Sequence, residues 1–176
     1  ALLRKAGLDA SLPRVLDLVE AKRPLYMARA ETSLKAFPGA ATLVRRQALR
    51  GPVGIISGAL RDEIEFGLVQ LGVADVVRHI TSAEDTAASK PDPEGYRLGI
   101  EWLLESLSLE QAQRALVIED SLDGIAAAKA AGLPVIAVAH SYGRAELESS
   151  GADMVVATIG QIDDRKLTQL YQELYG

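Results

Sequence analysis

The stretch from Ala115 to Gly132 constrains the fold of this chain more than any other. It begins with a continuous apolar run that ends at Ile118, which is typical of a parallel strand buried on both faces. An alanine-rich segment from Ile125 to Ala131 then has strong helix propensity and stops at a glycine. A strand followed at once by a helix predicts a turn at the carboxyl edge of an open α/β sheet, where ligands bind.

Two adjacent carboxylates, Glu119 and Asp120, occupy this turn. Neighbouring carboxylates repel each other, and the start of a helix needs only one oxygen as its cap, so the second charge suggests a divalent cation. Mg²⁺ fits because proteins hold it through one or two carboxylates together with substrate phosphate and water. The alternative is that Asp120 or Ser121 caps the helix while Glu119 is solvated, and this stretch alone leaves both possibilities open.

The rest of the chain alternates between strand-like and helix-like segments. Residues 1–35 are helical in pattern, with a break at Gly7, and predict a pair of amphipathic helices. Further helices are expected over residues 40–49, 60–71, 96–107 and near the end of the chain, and strands over residues 53–57, 73–80, 115–118, 134–139 and 154–157. This alternation predicts the α/β class, with a Rossmann-like parallel sheet covered by helices on both faces.

Two other segments would meet the acidic turn at the same edge of such a sheet. Ser57 and Gly58 follow a predicted strand and start a helix, so a hydroxyl and backbone N–H groups could bind an anion there, although a serine cap is the commoner explanation. Lys90 precedes Pro91 and Pro93, which stiffen the backbone and favour a fixed positive charge over a solvated lysine. These groups are what phosphoryl transfer requires, except for an attacking group.

Composition removes several classes of function. The 176 residues contain no cysteine, which excludes disulfides, thiolate catalysis and cysteine–zinc sites among them. A net charge of -5 argues against nucleic acid or an anionic membrane as the main partner. Because no apolar run approaches the roughly 20 residues of a membrane span and the first residues lack a signal-peptide pattern, we expect a soluble, cytoplasmic protein. We also expect it to be a monomer or a weak homodimer.

The order and spacing of these motifs resemble the haloacid dehalogenase superfamily, in the branch of phosphoglycolate phosphatases and β-phosphoglucomutases. The second, third and fourth motifs of the family resemble residues 55–58, residues 89–93 and residues 118–132. The Phe37-Pro38-Gly39 junction also matches the point at which the family leaves its helical cap. The likeness covers essentially the whole chain, and the fourth motif is the specific one.

The resemblance implies a role for each matching residue. Ser57 and the amide of Gly58 would hold phosphate, and Lys90 would bridge phosphate and nucleophile as a catalytic residue. Asp120 would ligate Mg²⁺, with Glu119 as its close support.

The resemblance also divides the chain and suggests two substrate contacts. Residues 1–35 would be part of a helical cap domain, and residues 36–176 would be the α/β core. Lys22 lies in a Lys-x-x-x-Tyr pattern like that of the family's cap helix and could reach the substrate. Arg61, one helical turn after Ser57, could contact it too.

One motif of the family has no counterpart in residues 1–176. The family's first motif, Asp-x-Asp-Gly, lies at the end of its central strand and supplies the nucleophile. In this chain, that strand would lie between the strands that end at Ser57 and Glu119. We therefore expect an N-terminal segment to be missing, and the 176 residues alone to be inactive. The intact protein would hydrolyse a phosphate monoester of a small metabolite through an aspartyl-phosphate. The alternatives are a phosphosugar mutase or, if the chain is complete, a non-catalytic phosphate-binding module.

Overall fold

The computed structural model describes the backbone of residues 12–176 and the side chains of Leu18 and residues 21–176. The chain divides into two compact units, residues 1–35 and residues 36–176. Helix α1, Leu12–Ser33, belongs to the first unit and contains Pro24. The helix predicted before Gly7 lies outside the described residues.

The second unit alternates strands and helices, as the sequence predicts. Its elements, in chain order, are α2 (Ala40–Ala48), β1 (Val53–Ile56), α3 (Arg61–Leu71), β2 (Val77–Thr81), α4 (Glu94–Leu104), α5 (Leu109–Gln113), β3 (Val117–Glu119), α6 (Leu122–Ala130), β4 (Val135–Val138), α7 (Arg144–Ser149), β5 (Met154–Val156), a short 3₁₀ helix (Ile159–Gln161) and α8 (Asp164–Tyr175). The strand predicted to begin at Val73 starts only at Val77, because the carbonyl of Val73 accepts hydrogen bonds from the N–H groups of Val76 and Val77 in a turn.

All described strand pairs are parallel, which confirms the α/β class. Strand β1 pairs with β2, opposite residues being Ile55 and Ile80, and β3, β4 and β5 form a second sheet in that order. Since parallel strands joined by helices run in the same direction, the carboxyl ends of the strands in each sheet lie at one edge.

Strand β4 forms the centre of the core. Its four residues are at most 1% exposed. Val135 and Ala137 pack into one apolar cluster with α6, while Ile136 and Val138 pack into another with α8 on the opposite face. Burial of each of the three branched side chains contributes about 1.5–3 kcal/mol to stability.

The prediction that residues 115–118 form a strand buried on both faces is wrong. The strand, β3, covers Val117–Glu119, and Ile118 is 38% exposed. The physical reason is that, within the described part of the chain, β3 pairs only with β4. A cavity of about 620 Å³ is lined by β3, by β1 and by apolar side chains of α4.

Among residues 12–176, none of the helices combines the length and the apolar character that a membrane span requires.

Candidate active site

Lys90 lies between the carboxyl ends of β1 and β3 and joins the two sheets there. Its ammonium group donates hydrogen bonds to the carbonyl of Ile56 at 3.1 Å and to the hydroxyl of Tyr96 at 3.2 Å, and it forms an ion pair with Oε1 of Glu119. The Tyr96 hydroxyl in turn donates to the same Oε1 atom at 2.9 Å. We call the three side chains and the Ile56 carbonyl the Lys90 cluster. It confirms that the lysine segment and the acidic turn meet.

The second carboxylate oxygen of Glu119 also has several donors. Oε2 accepts hydrogen bonds from the N–H groups of Asp120 and Ser121, at 3.1 and 3.3 Å, and from the Ser121 hydroxyl at 3.0 Å. Burial alone would raise the pKa of Glu119, but the charge of Lys90 and hydrogen bonds from Lys90, Tyr96 and Ser121 outweigh it and lower the pKa. Glu119 is therefore ionised at neutral pH and fixed by protein donors. A metal ion bound directly to Glu119 would replace one of the hydrogen bonds that the carboxylate accepts.

Ser121, one of the two residues expected to cap the helix after the acidic turn, is the N-cap of α6. Its hydroxyl oxygen accepts a hydrogen bond from the N–H group of Gly124 at 3.0 Å. The helix start therefore does not need Asp120, and Glu119 is not a solvated surface carboxylate. Its side chain is only 9% exposed.

Asp120 points toward the loop that follows β4. Its Oδ2 atom accepts a hydrogen bond from the Ser141 hydroxyl at 2.5 Å. In the described ranges, no group of three or more His, Cys, Asp and Glu side chains is arranged to hold a metal ion. A single carboxylate still suits Mg²⁺, which takes few protein ligands and completes its shell with phosphate and water. The metal roles of Asp120 and Glu119 remain predictions.

Ser57 and Gly58 lie just beyond the end of β1. The Ser57 N–H group donates to the carbonyl of Thr81 at 2.9 Å, and the Ser57 hydroxyl accepts from the N–H group of Ala59 at 3.1 Å. The N-cap of α3 is Leu60, so Ser57 does not serve as the helix cap. Gly58 is exposed, and a side chain there would meet open space. This turn is accessible, and its predicted phosphate contacts are untested.

Arg61 is held by the loop that leads from β2 to Lys90. Its guanidinium donates to Oδ2 of Asp85 at 2.8 Å and to the carbonyl of Ile80 at 3.1 Å. Its backbone N–H donates to Oε2 of Glu84 at 2.7 Å, which places a carboxylate at the start of α3. A substrate contact by Arg61, which remains a prediction, would compete with the ion pair to Asp85.

Lys22 belongs to the first unit. Its ammonium group lies 4.8 Å from the ring centroid of Tyr26, the partner in the Lys-x-x-x-Tyr pattern. The predicted contact with substrate is untested.

Both histidines stack on aromatic rings. His140 lies against Phe37, with ring centroids 3.8 Å apart, and His79 lies against Trp102 at 4.7 Å. His79 Nε2 also forms a hydrogen bond of 2.9 Å with the Thr81 hydroxyl, and burial, followed by the charge of Arg61, lowers the pKa of His79. These contacts fit structural roles for both histidines.

Sequence reasoning missed two residues of the site. The sequence places Tyr96 only at the start of a predicted helix, residues 96–107, yet its hydroxyl reaches Glu119. The hydroxyl of Tyr96 was the available signal. It belongs to the apolar face of a helix, which is expected to be buried, and a buried hydroxyl requires a hydrogen-bond partner. Ser141 follows a strand at the carboxyl edge, and that position alone could have identified it.

Comparisons with known proteins agree with this geometry. A family model described as haloacid dehalogenase-like hydrolase matches residues 2–132. A phosphoglycolate phosphatase of Rhodospirillum rubrum is 34% identical over 129 residues, which cover 73% of this chain and 52% of the relative. The chain thus spans about half the length of that relative.

Two solved structures are similar in fold. A β-phosphoglucomutase of Clostridium difficile has a TM-score of 0.79 and 23% identity, over 98% of this chain and 74% of that one. A putative β-phosphoglucomutase of Thermotoga maritima has a TM-score of 0.67 and 26% identity, over 96% of this chain and 74% of that one.

Proposed function

Because the family match covers most of its length, the chain belongs to the haloacid dehalogenase-like hydrolases, and we propose that the protein hydrolyses phosphate monoesters of small metabolites with the help of Mg²⁺. The similarity to a phosphoglycolate phosphatase supports the phosphatase class without identifying the ester.

The single observation that carries the proposal is the ion pair of Lys90 and Glu119 between the ends of β1 and β3. Phosphoryl transfer spreads negative charge over the equatorial oxygens of phosphate, so catalysis needs cations held rigidly in place. The ammonium group of Lys90 is held by protein acceptors, while the side chain as a whole remains 23% exposed. In this role Lys90 would exchange one of its present hydrogen bonds for one to a phosphate oxygen and neutralise charge that develops during transfer.

Ser57 and Gly58 would hold the remaining phosphate oxygens. They lie directly after β1, one residue beyond the Ile56 carbonyl that accepts a hydrogen bond from Lys90. A hydroxyl and a backbone N–H group near the start of α3 are the usual donors for a phosphate at such a turn. The exposure of Gly58 leaves room for the ligand.

Asp120 would hold Mg²⁺, which supplies positive charge to the phosphate when bound. Ser141 fixes one oxygen of the Asp120 carboxylate. Glu119 supports the site indirectly, since it orients Lys90 and its Oε2 atom accepts from the backbone N–H group of Asp120. Neutralisation of Glu119 by Lys90 also reduces repulsion between the adjacent carboxylates.

The attacking group in this proposal is an aspartate on a strand that inserts between β1 and β3. The support is the 620 Å³ cavity, which is lined by residues of both strands, Ile56 and Glu119 among them. An aspartate at the carboxyl end of such a strand would lie beside Lys90. Its carboxylate oxygen would bond to phosphorus while the bond from phosphorus to the ester oxygen breaks and that oxygen takes a proton from water. A second water molecule would then hydrolyse the aspartyl-phosphate to phosphate and the free aspartate.

The test uses the full-length protein and a panel of phosphate monoesters that includes phosphoglycolate, sugar phosphates and p-nitrophenyl phosphate. We expect phosphate release that depends on Mg²⁺ and falls by at least about 100-fold in Asp120→Ala and in Lys90→Ala. Lys129→Ala is the matched control, because Lys129 pairs with Asp153 on the surface and takes no part in the site. Full activity of either site variant would refute the assignment.

A phosphosugar mutase is the second candidate, and the similarity to the putative β-phosphoglucomutase of Thermotoga maritima favours it. Such an enzyme returns the phosphoryl group to sugar instead of water, which requires the exclusion of water from the site. Conversion of a sugar 1-phosphate to its 6-phosphate without release of phosphate would replace the phosphatase proposal with this one.

A further inference from the structure

The Tyr96 side chain is buried with its hydroxyl inside the Lys90 cluster. Tyr96 is 5% exposed and packs into the apolar cluster around β4 and α6. Its hydroxyl donates to Oε1 of Glu119 at 2.9 Å and accepts from Lys90 at 3.2 Å. Its ring lies 4.9 Å from the Lys90 ammonium group. Burial, followed by the charge of Glu119, raises the pKa of Tyr96, so the hydroxyl keeps its proton.

Two glycines allow Tyr96 to reach this position. Gly95 and Gly99, one turn apart on α4, both face Ile56 of β1. A β-carbon at position 95 would lie 3.1 Å from Cγ2 of Ile56, and one at position 99 would lie 3.0 Å from its Cδ1 atom. Helix α4 therefore packs close to β1, and the hydroxyl is held by the scaffold instead of by a loop.

The number of hydrogen-bond donors on Lys90 equals the number of acceptors around it in the cluster. Lys90 has three N–H donors and three acceptors, which are the Ile56 carbonyl, the Tyr96 hydroxyl and Oε1 of Glu119. Removal of the hydroxyl would leave one lysine hydrogen without its partner and remove one donor from Glu119. Since these bonds involve charged groups, each is stronger than a bond between neutral groups.

We propose that Tyr96 is a positioning residue that fixes the ammonium group of Lys90. One part of this inference rests on the proposed function, namely that a misplaced Lys90 slows phosphoryl transfer. Tyr96 acts through Lys90 and Glu119 and does not itself contact the substrate.

The experiment compares Tyr96→Phe with Tyr171→Phe in the full-length protein. Phenylalanine keeps the buried ring at position 96 and removes only the hydroxyl. Tyr171 is the matched control, because its hydroxyl donates to the carbonyl of Arg114 at 2.7 Å, outside the Lys90 cluster.

The position of the Lys90 amine is measured by chemical labelling. Acetic anhydride at limiting concentration labels lysines in the native state, and peptide mass spectrometry gives the labelling rate at Lys90 relative to that at Lys129.

We expect the labelling rate of Lys90, relative to Lys129, to rise about three- to tenfold in Tyr96→Phe, because the amine loses a hydrogen bond. The kcat should fall about tenfold with little change in KM, since the hydroxyl orients Lys90 for transfer without contacting substrate. Tyr171→Phe should leave the labelling ratio and kcat unchanged.

Three results would overturn the inference. These are an unchanged labelling ratio, whether both rates stay the same or both rise equally through general loosening of the fold, a lowered ratio, and a raised ratio in an active enzyme whose kcat is unchanged. If the wild-type protein releases no phosphate but the labelling ratio still rises in Tyr96→Phe, the proposed function fails and the positioning of Lys90 by Tyr96 stands.

Discussion

The carboxylate of Glu119 lies against the backbone of Gly124 so closely that a β-carbon at position 124 would lie 2.1 Å from its Cδ atom. Real β-carbons essentially never approach another heavy atom to less than 3.0 Å, so any side chain at this position must displace Glu119. Gly124 also donates its N–H group to the Ser121 cap. The first turn of α6 therefore fixes the carboxylate that holds Lys90.

We predict that Gly124→Ala destabilises the protein by about 1–3 kcal/mol, the usual cost of overpacking a well-packed site. It should also reduce phosphate release, because Glu119 leaves its donors. Urea denaturation measures the first effect and the phosphatase assay the second. Gly67→Ala in α3 is the control: no atom lies within 4 Å of the added carbon, and alanine in a helix interior should stabilise by about 0.5–1 kcal/mol. Equal effects of the two changes would contradict the role of the close contact.

Ser121→Ala should lower both stability and activity, because the Ser121 hydroxyl caps α6 and donates to Glu119. We expect a loss of about 1 kcal/mol in the free energy of unfolding. Ser108→Ala provides the comparison, since Ser108 caps α5 through the N–H group of Gln111 and lies outside the Lys90 cluster. It should lose similar stability and keep its activity. Undiminished activity of Ser121→Ala would show that its bond to Glu119 is dispensable.

Ser141→Ala should weaken Mg²⁺ binding about tenfold, because partners that orient a metal-binding carboxylate contribute that much or more to affinity. Titration calorimetry of the full-length protein with MgCl₂ measures this effect without reference to turnover. Ser141→Thr, which retains the hydroxyl, should restore affinity. Ser149→Ala, which removes a hydroxyl bonded to the carbonyl of Glu146 in α7, should have no effect. An unchanged dissociation constant for Ser141→Ala would exclude the contact with Asp120 from metal binding.

Asp85 should make stability depend on pH in the acid range. Hydrogen bonds from the side chain and backbone of Ser82 lower the pKa of Asp85 below its ordinary value of 3.8, and Arg61 adds a smaller effect. The unfolded chain then takes up the proton at a higher pH than the native one, so stability falls as pH drops through the native pKa. The stabilising contribution is complete at pH values well above 3.8.

Asp85→Asn removes this titration. We expect the difference in free energy of unfolding between wild type and variant to be larger at about pH 6 than at about pH 3. Chemical denaturation at both pH values gives the two differences. The same difference at both values would mean that Asp85 has an ordinary pKa.

Local rules predicted much of the fold and part of the site. The helix after the acidic turn and the order of the strands follow from propensity and periodicity over short stretches. The positions of Ser57 and Lys90 in connecting segments likewise follow from their neighbours in the chain, whereas Glu119, predicted to lie in a turn, is the last residue of β3. These local rules do not predict which residues each side chain contacts.

The sequence by itself determined the α/β class, the approximate position of most elements, the presence of a carboxylate pair at a junction of strand and helix, and the presence of a lysine in a loop. Only the tertiary structure decided that β3 lines a cavity, that Ser121 and not Asp120 caps α6, and that Tyr96 completes the Lys90 cluster. The reason is that apolar periodicity records which face of an element is buried but not what covers it. Lys90 and Glu119 are 29 residues apart in the chain, and the packing of α4 on β1 and the pairing of β3 with β4 bring them together.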